Sequence, residues 1–167
     1  MILYVLRHGQ AAPLGDAVRR DADRPLTEQG GADAALMGAA LVRLDPAISV
    51  VLCSPLLRAR QTAEAVAAQF PVPPAVRETD SLSPGFRPMV LVAELQTIPA
   101  DGSVVVVGHQ PDLGAFIAHV IDAEGTASLD LPPAALVCLR FTGDSTTDAS
   151  LRWLLIPDTV RELLSSR

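Results

Sequence analysis

Three short apolar runs, each followed at once by polar or charged residues, constrain this chain more than any other feature. The runs cover residues 2–6, Val50–Cys53 and 104–107. Each is rich in β-branched or aliphatic residues and short for a helix, so each predicts a buried strand. In open α/β sheets, ligands collect beyond the carboxyl ends of such strands. The residues that follow the three runs are therefore expected to meet at one edge of a sheet.

Arginine and histidine stand out among the residues that follow these runs. Arg7 and His8 come directly after the first run, Arg58 lies a few residues beyond the second, and His109 follows the third. Arginine offers a planar fork of donors to phosphate oxygens, and histidine can attack phosphorus and carry the phosphoryl group. An Arg-His-Gly tripeptide alone is equally compatible with a surface turn. Because three strand ends converge, the pattern favours a phosphate site built from these four side chains.

The segment after the second run has the features of a helix start. Ser54 is a good N-cap and Pro55 a good first helical residue, so a helix is predicted to begin there and to end near Phe70. Arg58 would then lie in or just beyond the first turn, near the positive end of the helix dipole. Arg60 and Gln61, on the same helix, would either contact substrate or face solvent.

Together, Arg7-His8-Gly9, residues 54–64 and Gly108-His109 resemble the signatures of the histidine phosphatase superfamily, which has the phosphoglycerate-mutase-like fold. The short chain, the stretch Arg-Pro-Leu-Thr-Glu-Gln-Gly at 24–30 and the form Val-Gly-His-Gln-Pro at 107–111 narrow the resemblance. They are similar to the SixA-type phosphohistidine phosphatases, the small branch of that superfamily. The resemblance extends from residue 1 to about residue 120.

Charge and resemblance together imply a mechanism. Neutral His8 would attack phosphorus in line and become a phosphohistidine that water later hydrolyses. Arg7, Arg58 and His109 would bind the non-bridging oxygens as charge gathers on them. The resemblance implies that no metal or other cofactor takes part, and the histidines show no metal-ligand spacing. His119, inside a predicted helix, is expected to be a surface or packing residue.

The order of apolar runs and turns predicts a three-layer α/β/α fold with a mixed, mainly parallel sheet, as one histidine-phosphatase domain over residues 1–167. Thr27 is predicted to cap the helix Glu28–Leu44. Further helices are expected over 88–98, 113–121 and 160–164, and further strands over 75–78, 135–141 and 150–156. The last two strands are expected to form an antiparallel hairpin at one end of the sheet, through the polar turn 142–149.

The proton donor for a leaving oxygen stays open. Larger members of the superfamily carry a glutamate after the third strand, whereas residues 78–85 offer no clear match to it. Four acidic residues are candidates for a general acid: Asp80, Glu78, Asp21 and Asp23. The last two belong to the charged stretch 10–26, whose length is typical of a functional loop.

The composition of the chain argues against several other classes of function. A net charge of −6 argues against general nucleic-acid or anionic-membrane binding. No apolar stretch approaches the roughly eighteen residues of a membrane helix, and the N-terminus lacks a signal-peptide pattern, so a cytoplasmic protein is expected. All 13 basic residues are arginine, which excludes Schiff-base and P-loop lysine chemistry. Cys53 and Cys138 lie in apolar segments and are expected to be core residues.

The resulting prediction is a metal-independent phosphatase that acts on phosphohistidine in a partner protein. A phosphatase of small phosphate monoesters is the enzymatic alternative. A mutase is disfavoured because the chain lacks room for insertions that would enclose a substrate. A phosphate-binding module without turnover is the alternative from another class, and the presence of both arginines and both histidines argues against it.

Overall fold

A six-stranded sheet forms the centre of the molecule, in the order β3-β2-β4-β1-β5-β6. The computed structural model describes residues 1–15, 18–45, 47–122, 129–142 and 148–165. The strands are β1 (Ile2–Arg7), β2 (Val50–Cys53), β3 (Ala75–Glu78), β4 (Ser103–Gly108), β5 (Leu136–Phe141) and β6 (Ala149–Leu155). The first four are parallel, and β5 and β6 are antiparallel to their neighbours. The predicted mixed, mainly parallel sheet is confirmed.

Within the described parts of the chain, five helices cover the two faces of this sheet. They are α1 (Glu28–Leu44), α2 (Leu57–Ala67), α3 (Pro88–Leu95), α4 (Asp112–Ile121) and α5 (Pro157–Ser165), with short 3-10 turns at Asp21–Asp23 and Asp80–Leu82. Residues of α3 and α4 pack in one apolar cluster, and residues of α1, α2 and α5 pack in another. Each cluster takes alternate residues of the central strands, which gives the predicted three layers.

This double coverage explains why β2 and the buried parts of β1 and β4 have unbroken apolar sequences. In β1, Leu3 and Val5 belong to the α3–α4 cluster, whereas Tyr4 and Leu6 belong to the other one. The four positions 3–6 of the strand are all buried, so none of them has to be polar. Among the described residues, no helix has the length and apolar character required to cross a bilayer.

Both cysteines are free and buried in the α1–α2–α5 cluster, as the sequence predicts. Burial raises the pKa of the Cys53 thiol to about 12 and that of the Cys138 thiol to about 11. Both side chains therefore stay protonated at neutral pH and act as small apolar core residues.

The predicted bounds of α1 are exact, and the predicted bounds of the other helices differ from the observed ones by up to three residues. Thr27 caps α1 as predicted, because its Oγ1 accepts a hydrogen bond from the Gly30 amide at 3.0 Å. The predicted N-cap at Ser54 is wrong: α2 begins at Leu57, with Leu56 as its N-cap residue. Helices α2 and α3 end three residues earlier than predicted, and α5 begins three residues earlier. The predicted hairpin of β5 and β6 is present, while its turn lies largely in 143–147, outside the described residues.

Strand register brings the carboxyl ends of the central strands to the same level. Arg7 lies opposite Gly108 in the β1–β4 pair, and Cys53 lies opposite Val107 in the β2–β4 pair. The residues that follow each strand therefore leave the sheet side by side.

The backbone that follows His8 is held by the start of α1. The amide of Thr27 donates to the carbonyl of Gln10 at 2.9 Å. A Cβ atom on Gly30 would lie 2.1 Å from that same carbonyl oxygen, and one on Gly9 would lie 2.5 Å from the carbonyl oxygen of Gly30. The two glycines are required because two backbone segments touch at this point.

We expect Gly30→Ala to lower the free energy of unfolding by about 1–3 kcal/mol, since the new methyl group forces the two segments apart. Gly31→Ala is the matched control. Nothing lies within 4 Å of a Cβ at Gly31, and alanine favours a helix over glycine by about 1 kcal/mol. Urea unfolding of both variants checks this. Equal effects of the two substitutions would contradict the close backbone contact.

Candidate active site

A pocket of 380 Å³ opens where β1 and β4 end and α2 begins. It is lined by Arg7, His8, Gln10, Ala11, Asp21, Arg24, Arg58, Pro84, His109, Gln110 and Pro133. All four residues that the sequence predicts for a phosphate site therefore line one pocket.

His8 is held in one tautomer by its two hydrogen-bond partners. Its Nδ1 lies 2.7 Å from the carbonyl oxygen of Gly9, and its Nε2 lies 3.2 Å from Nε of Arg58. A carbonyl can only accept and a guanidinium can only donate. Nδ1 therefore carries the proton, and Nε2 carries the lone pair.

The same surroundings keep this imidazole neutral. Burial lowers the pKa of His8 to about 4, and the positive charges of Arg58, Arg7 and Arg24 add to the effect. The hydrogen bond to the Gly9 carbonyl opposes it but is outweighed. At neutral pH the Nε2 lone pair is free of a proton, as a nucleophile requires.

His109 lies beside His8, with 5.0 Å between the ring centroids, and is only 3% exposed. Its Nε2 lies 2.8 Å from Oγ of Ser54, and that oxygen accepts a hydrogen bond from the Leu56 amide at 3.4 Å. Ser54 thus orients a ring instead of capping a helix. Burial lowers the pKa of His109 to about 3, with smaller contributions from His8, Arg58 and Arg7.

Arg58 is fixed at both ends. Its Nη1 donates to the backbone carbonyl of Asp21 at 2.8 Å, and its Nη2 donates to Oδ2 of the same residue at 3.0 Å. Its own carbonyl accepts from the Thr62 hydroxyl at 2.7 Å, and that hydroxyl oxygen accepts from the Gly9 amide at 3.0 Å. Thr62 therefore links the helix that carries Arg58 to the backbone beside His8.

Arg7 reaches the pocket from the end of β1. Its Nη1 donates to the carbonyl of Leu131. Gln110 holds the neighbouring backbone in place, because its Nε2 donates to the carbonyl of Leu129 at 2.9 Å and its Oε1 accepts from the Gly114 amide at 2.9 Å. Nε of Arg7 is buried without a partner among the described residues.

Two charged residues of the pocket were not assigned to a phosphate site from the sequence. Arg24 donates to Oδ1 of Asp21 at 3.0 Å and to the carbonyl of Ala12 at 2.6 Å. Hydrogen bonds from Arg24, and then from Arg58, hold the pKa of Asp21 below its ordinary value. Arg24 belongs to the stretch 24–30 that carries the family resemblance, which was the available signal for it.

The other candidates lie elsewhere. Of the four carboxylates considered as a general acid, Glu78 pairs with Arg60 at 3.3 Å and Asp23 with Arg20 at 3.5 Å. Neither they nor Asp80 line the pocket, whereas Asp21 does. Two further residues considered above also lie outside it: Gln61 accepts from the Leu26 amide at 2.7 Å, and the exposed His119 contacts Met89.

The charges of the pocket suit a dianion. Three arginines and one aspartate line it, for a net charge of +2 while both histidines are neutral. Among the described residues, no three histidine, cysteine, aspartate or glutamate side chains are grouped so that they could hold a metal ion.

Comparison with known proteins places this arrangement in a family. The sequence profile of the histidine phosphatase superfamily (branch 1) matches residues 3–82. Phosphohistidine phosphatase SixA of Escherichia coli is 32% identical to this chain over 159 residues, which is 94% of each protein. The chain belongs to the histidine phosphatase superfamily.

Two further proteins are similar to this chain over most of its length. An uncharacterized protein of Picosynechococcus sp. is 38% identical over 142 residues, 84% of this chain and 85% of that protein. The structure of the protein histidine phosphatase SixA complexed with tungstate superposes with a TM-score of 0.84 and 28% identity, covering 96% of this chain and 99% of that one. This member of the histidine phosphatase superfamily is a phosphatase enzyme.

The buried, neutral histidines make stability depend on pH. An unfolded histidine has a pKa of about 6.5, so between about pH 6.5 and pH 4 the unfolded chain binds protons that folded His8 and His109 do not. The free energy of unfolding should therefore fall as pH falls through this range, by up to about 1.4 kcal/mol per pH unit for each histidine.

Urea unfolding of the wild type and of His109→Gln at several pH values tests this. The variant should have the shallower slope, and parallel slopes would contradict a neutral, buried His109.

Proposed function

We propose that this phosphatase removes the phosphoryl group from phosphohistidine in a partner protein, with His8 as the nucleophile and without a metal or other cofactor. The observation that carries the proposal is the neutral His8, whose Nε2 lone pair lies beside Arg58 in a pocket of net positive charge. The likeness to SixA, named a phosphohistidine phosphatase, supports the same substrate class.

The first step follows from the tautomer of His8. Nε2 attacks the phosphorus of a phosphohistidine whose other ring nitrogen carries a proton. The phosphorus–nitrogen bond of the substrate breaks, and its electron pair returns to that ring, which departs as neutral imidazole. Arg7 and Arg58 bind the phosphoryl oxygens, which carry the charge of the transition state. The neutral His109 ring is close enough to His8 for its N–H to serve a third oxygen. Tungstate, present in the SixA structure, is a tetrahedral oxyanion like phosphate and is consistent with such a set of donors in the relative.

The leaving group favours phosphohistidine over an ester. Imidazole departs near neutral pH with little help, because its conjugate acid has a pKa of about 6.5. An alkoxide needs a proton donor. The carboxylate on the pocket wall, Asp21, is kept ionised by two arginines and is therefore a poor donor. A site without a protonated acid suits a phosphoramidate.

Access to the pocket favours a protein as partner. The Asp21 side chain on its wall is 51% exposed, so the pocket communicates with solvent. Neutral residues, among them Ala11, Pro84 and Pro133, also line the pocket. A phosphorylated side chain on the surface of another protein could reach such a site. The net charge of −6 makes nucleic acid and anionic membranes poor partners.

His8→Ala is expected to abolish turnover, because no other imidazole or thiol can take over the attack from the same position. An acid-labile phosphoenzyme, detected with a 32P-labelled substrate, should form in the wild type and be absent from the variant. Binding of inorganic phosphate to the variant should persist through Arg7, Arg58 and His109. His119→Ala, which changes a histidine outside the pocket, is the control and should keep the phosphoenzyme. Appreciable turnover by His8→Ala would defeat the assignment.

Substrate choice gives an independent test. We expect kcat/KM for a histidine-phosphorylated protein to exceed that for alkyl phosphate monoesters by orders of magnitude, because only the ester needs a proton donor. Among aryl phosphates, the rate should rise steeply as the pKa of the leaving phenol falls. Comparable efficiency on a sugar phosphate would overturn the proposal in favour of a phosphatase of small metabolites.

A further inference from the structure

The proposed function needs one proton acceptor, and it needs it in the second half of the cycle. When the phosphoryl group passes from a ring-protonated phosphohistidine to His8, each ring keeps the proton on its other nitrogen, so no proton has to move. Hydrolysis of phosphorylated His8 is different, because water is a weak nucleophile until it loses a proton. The inference below rests on the proposed function and concerns this second step.

Asp21 is the one carboxylate among the described residues that line the pocket. Its Oδ2 accepts from Nη2 of Arg58 at 3.0 Å, and Nε of the same guanidinium donates to Nε2 of His8 at 3.2 Å. A single guanidinium group therefore separates this carboxylate from the nitrogen that carries the phosphoryl group.

The position of Asp21 is held by its backbone as well as by its side chain. Its carbonyl accepts from Nη1 of Arg58 at 2.8 Å, and its Oδ1 accepts from Arg24 at 3.0 Å. Arg24 is anchored in turn by the carbonyl of Ala12 at 2.6 Å. The short turn Asp21–Asp23 is thus docked on the pocket by two arginines.

The carboxylate nevertheless keeps room for water. An ionised carboxylate has about four lone-pair positions, and the two arginine side chains occupy two of them. The Asp21 side chain is 51% exposed, so a water molecule can reach it from solvent. Because both arginines stabilise the ionised form, Asp21 carries no proton at neutral pH, and its free lone pairs can accept one from a bound water molecule.

We propose that Asp21 is the general base that activates water for hydrolysis of phosphorylated His8. Water oxygen bonds to phosphorus while one water proton passes to the Asp21 carboxylate. The bond between phosphorus and Nε2 breaks, and its electron pair returns to the ring, whose Nδ1 keeps its proton on the Gly9 carbonyl. The products are hydrogen phosphate, neutral His8 and a protonated Asp21, which then releases its proton to solvent.

Rapid-quench kinetics with 32P-labelled phosphoimidazole separates the two steps. For Asp21→Asn in the full chain, phosphorylation of His8 should stay within a few-fold of the wild-type rate, since that step needs no base. Hydrolysis of the phosphoenzyme should slow by about a hundredfold or more, so the phosphoenzyme accumulates. Asp21→Glu, which keeps a carboxylate, should hydrolyse its phosphoenzyme faster than Asp21→Asn does.

Asp23→Asn is the matched control, because Asp23 lies on the same turn, outside the pocket, and pairs with Arg20. Both of its steps should run at wild-type rates. Equal slowing of both steps in Asp21→Asn would show that Asp21 only positions Arg58, and unchanged hydrolysis would show that water needs no base here. Either result overturns the proposal. Absence of a phosphoenzyme from the wild type would instead remove the proposed function, and with it this step.

Discussion

The parallel pairing of β1 with β4 is the constraint on which the site depends. These two strands occupy the middle of the sheet, and their register sets Arg7 opposite Gly108. His8 and His109 therefore leave the sheet at the same height, with their rings 5.0 Å apart. A shift of one residue in this pairing would reverse the faces of every side chain in β1, so the two apolar layers that fix the register also fix the spacing of the two histidines.

The pocket and the whole protein carry net charges of opposite sign. The chain carries a net charge of −6, yet the pocket carries +2. Desolvation keeps both histidines neutral while arginine, which stays charged under almost all conditions, supplies the positive field. The proposed division of roles follows from the side chains: a neutral imidazole can attack through its lone pair, whereas a guanidinium can only bind an anion.

Much of this arrangement could be predicted from the sequence, because it depends on local patterns. The apolar runs predicted the central strands, and Thr27 predicted the start of α1. The positions just after the strand ends predicted four side chains of the pocket. Long-range contacts were not accessible in this way. Serine is a preferred N-cap residue, but the hydroxyl of Ser54 forms a hydrogen bond with His109, 55 residues away. Asp21 was one of several acidic candidates, and only the docking of its turn on Arg58 distinguishes it from Asp23.

The burial of both cysteines has a consequence for the chemistry of the whole molecule. With thiol pKa values of about 12 and 11 and both side chains buried, neither Cys53 nor Cys138 offers a thiolate to oxidants or alkylating agents. The proposed reaction is carried by an imidazole, which peroxide does not readily oxidise. Under the proposed mechanism, peroxide concentrations that oxidise a cysteine nucleophile should therefore leave the activity of this protein intact.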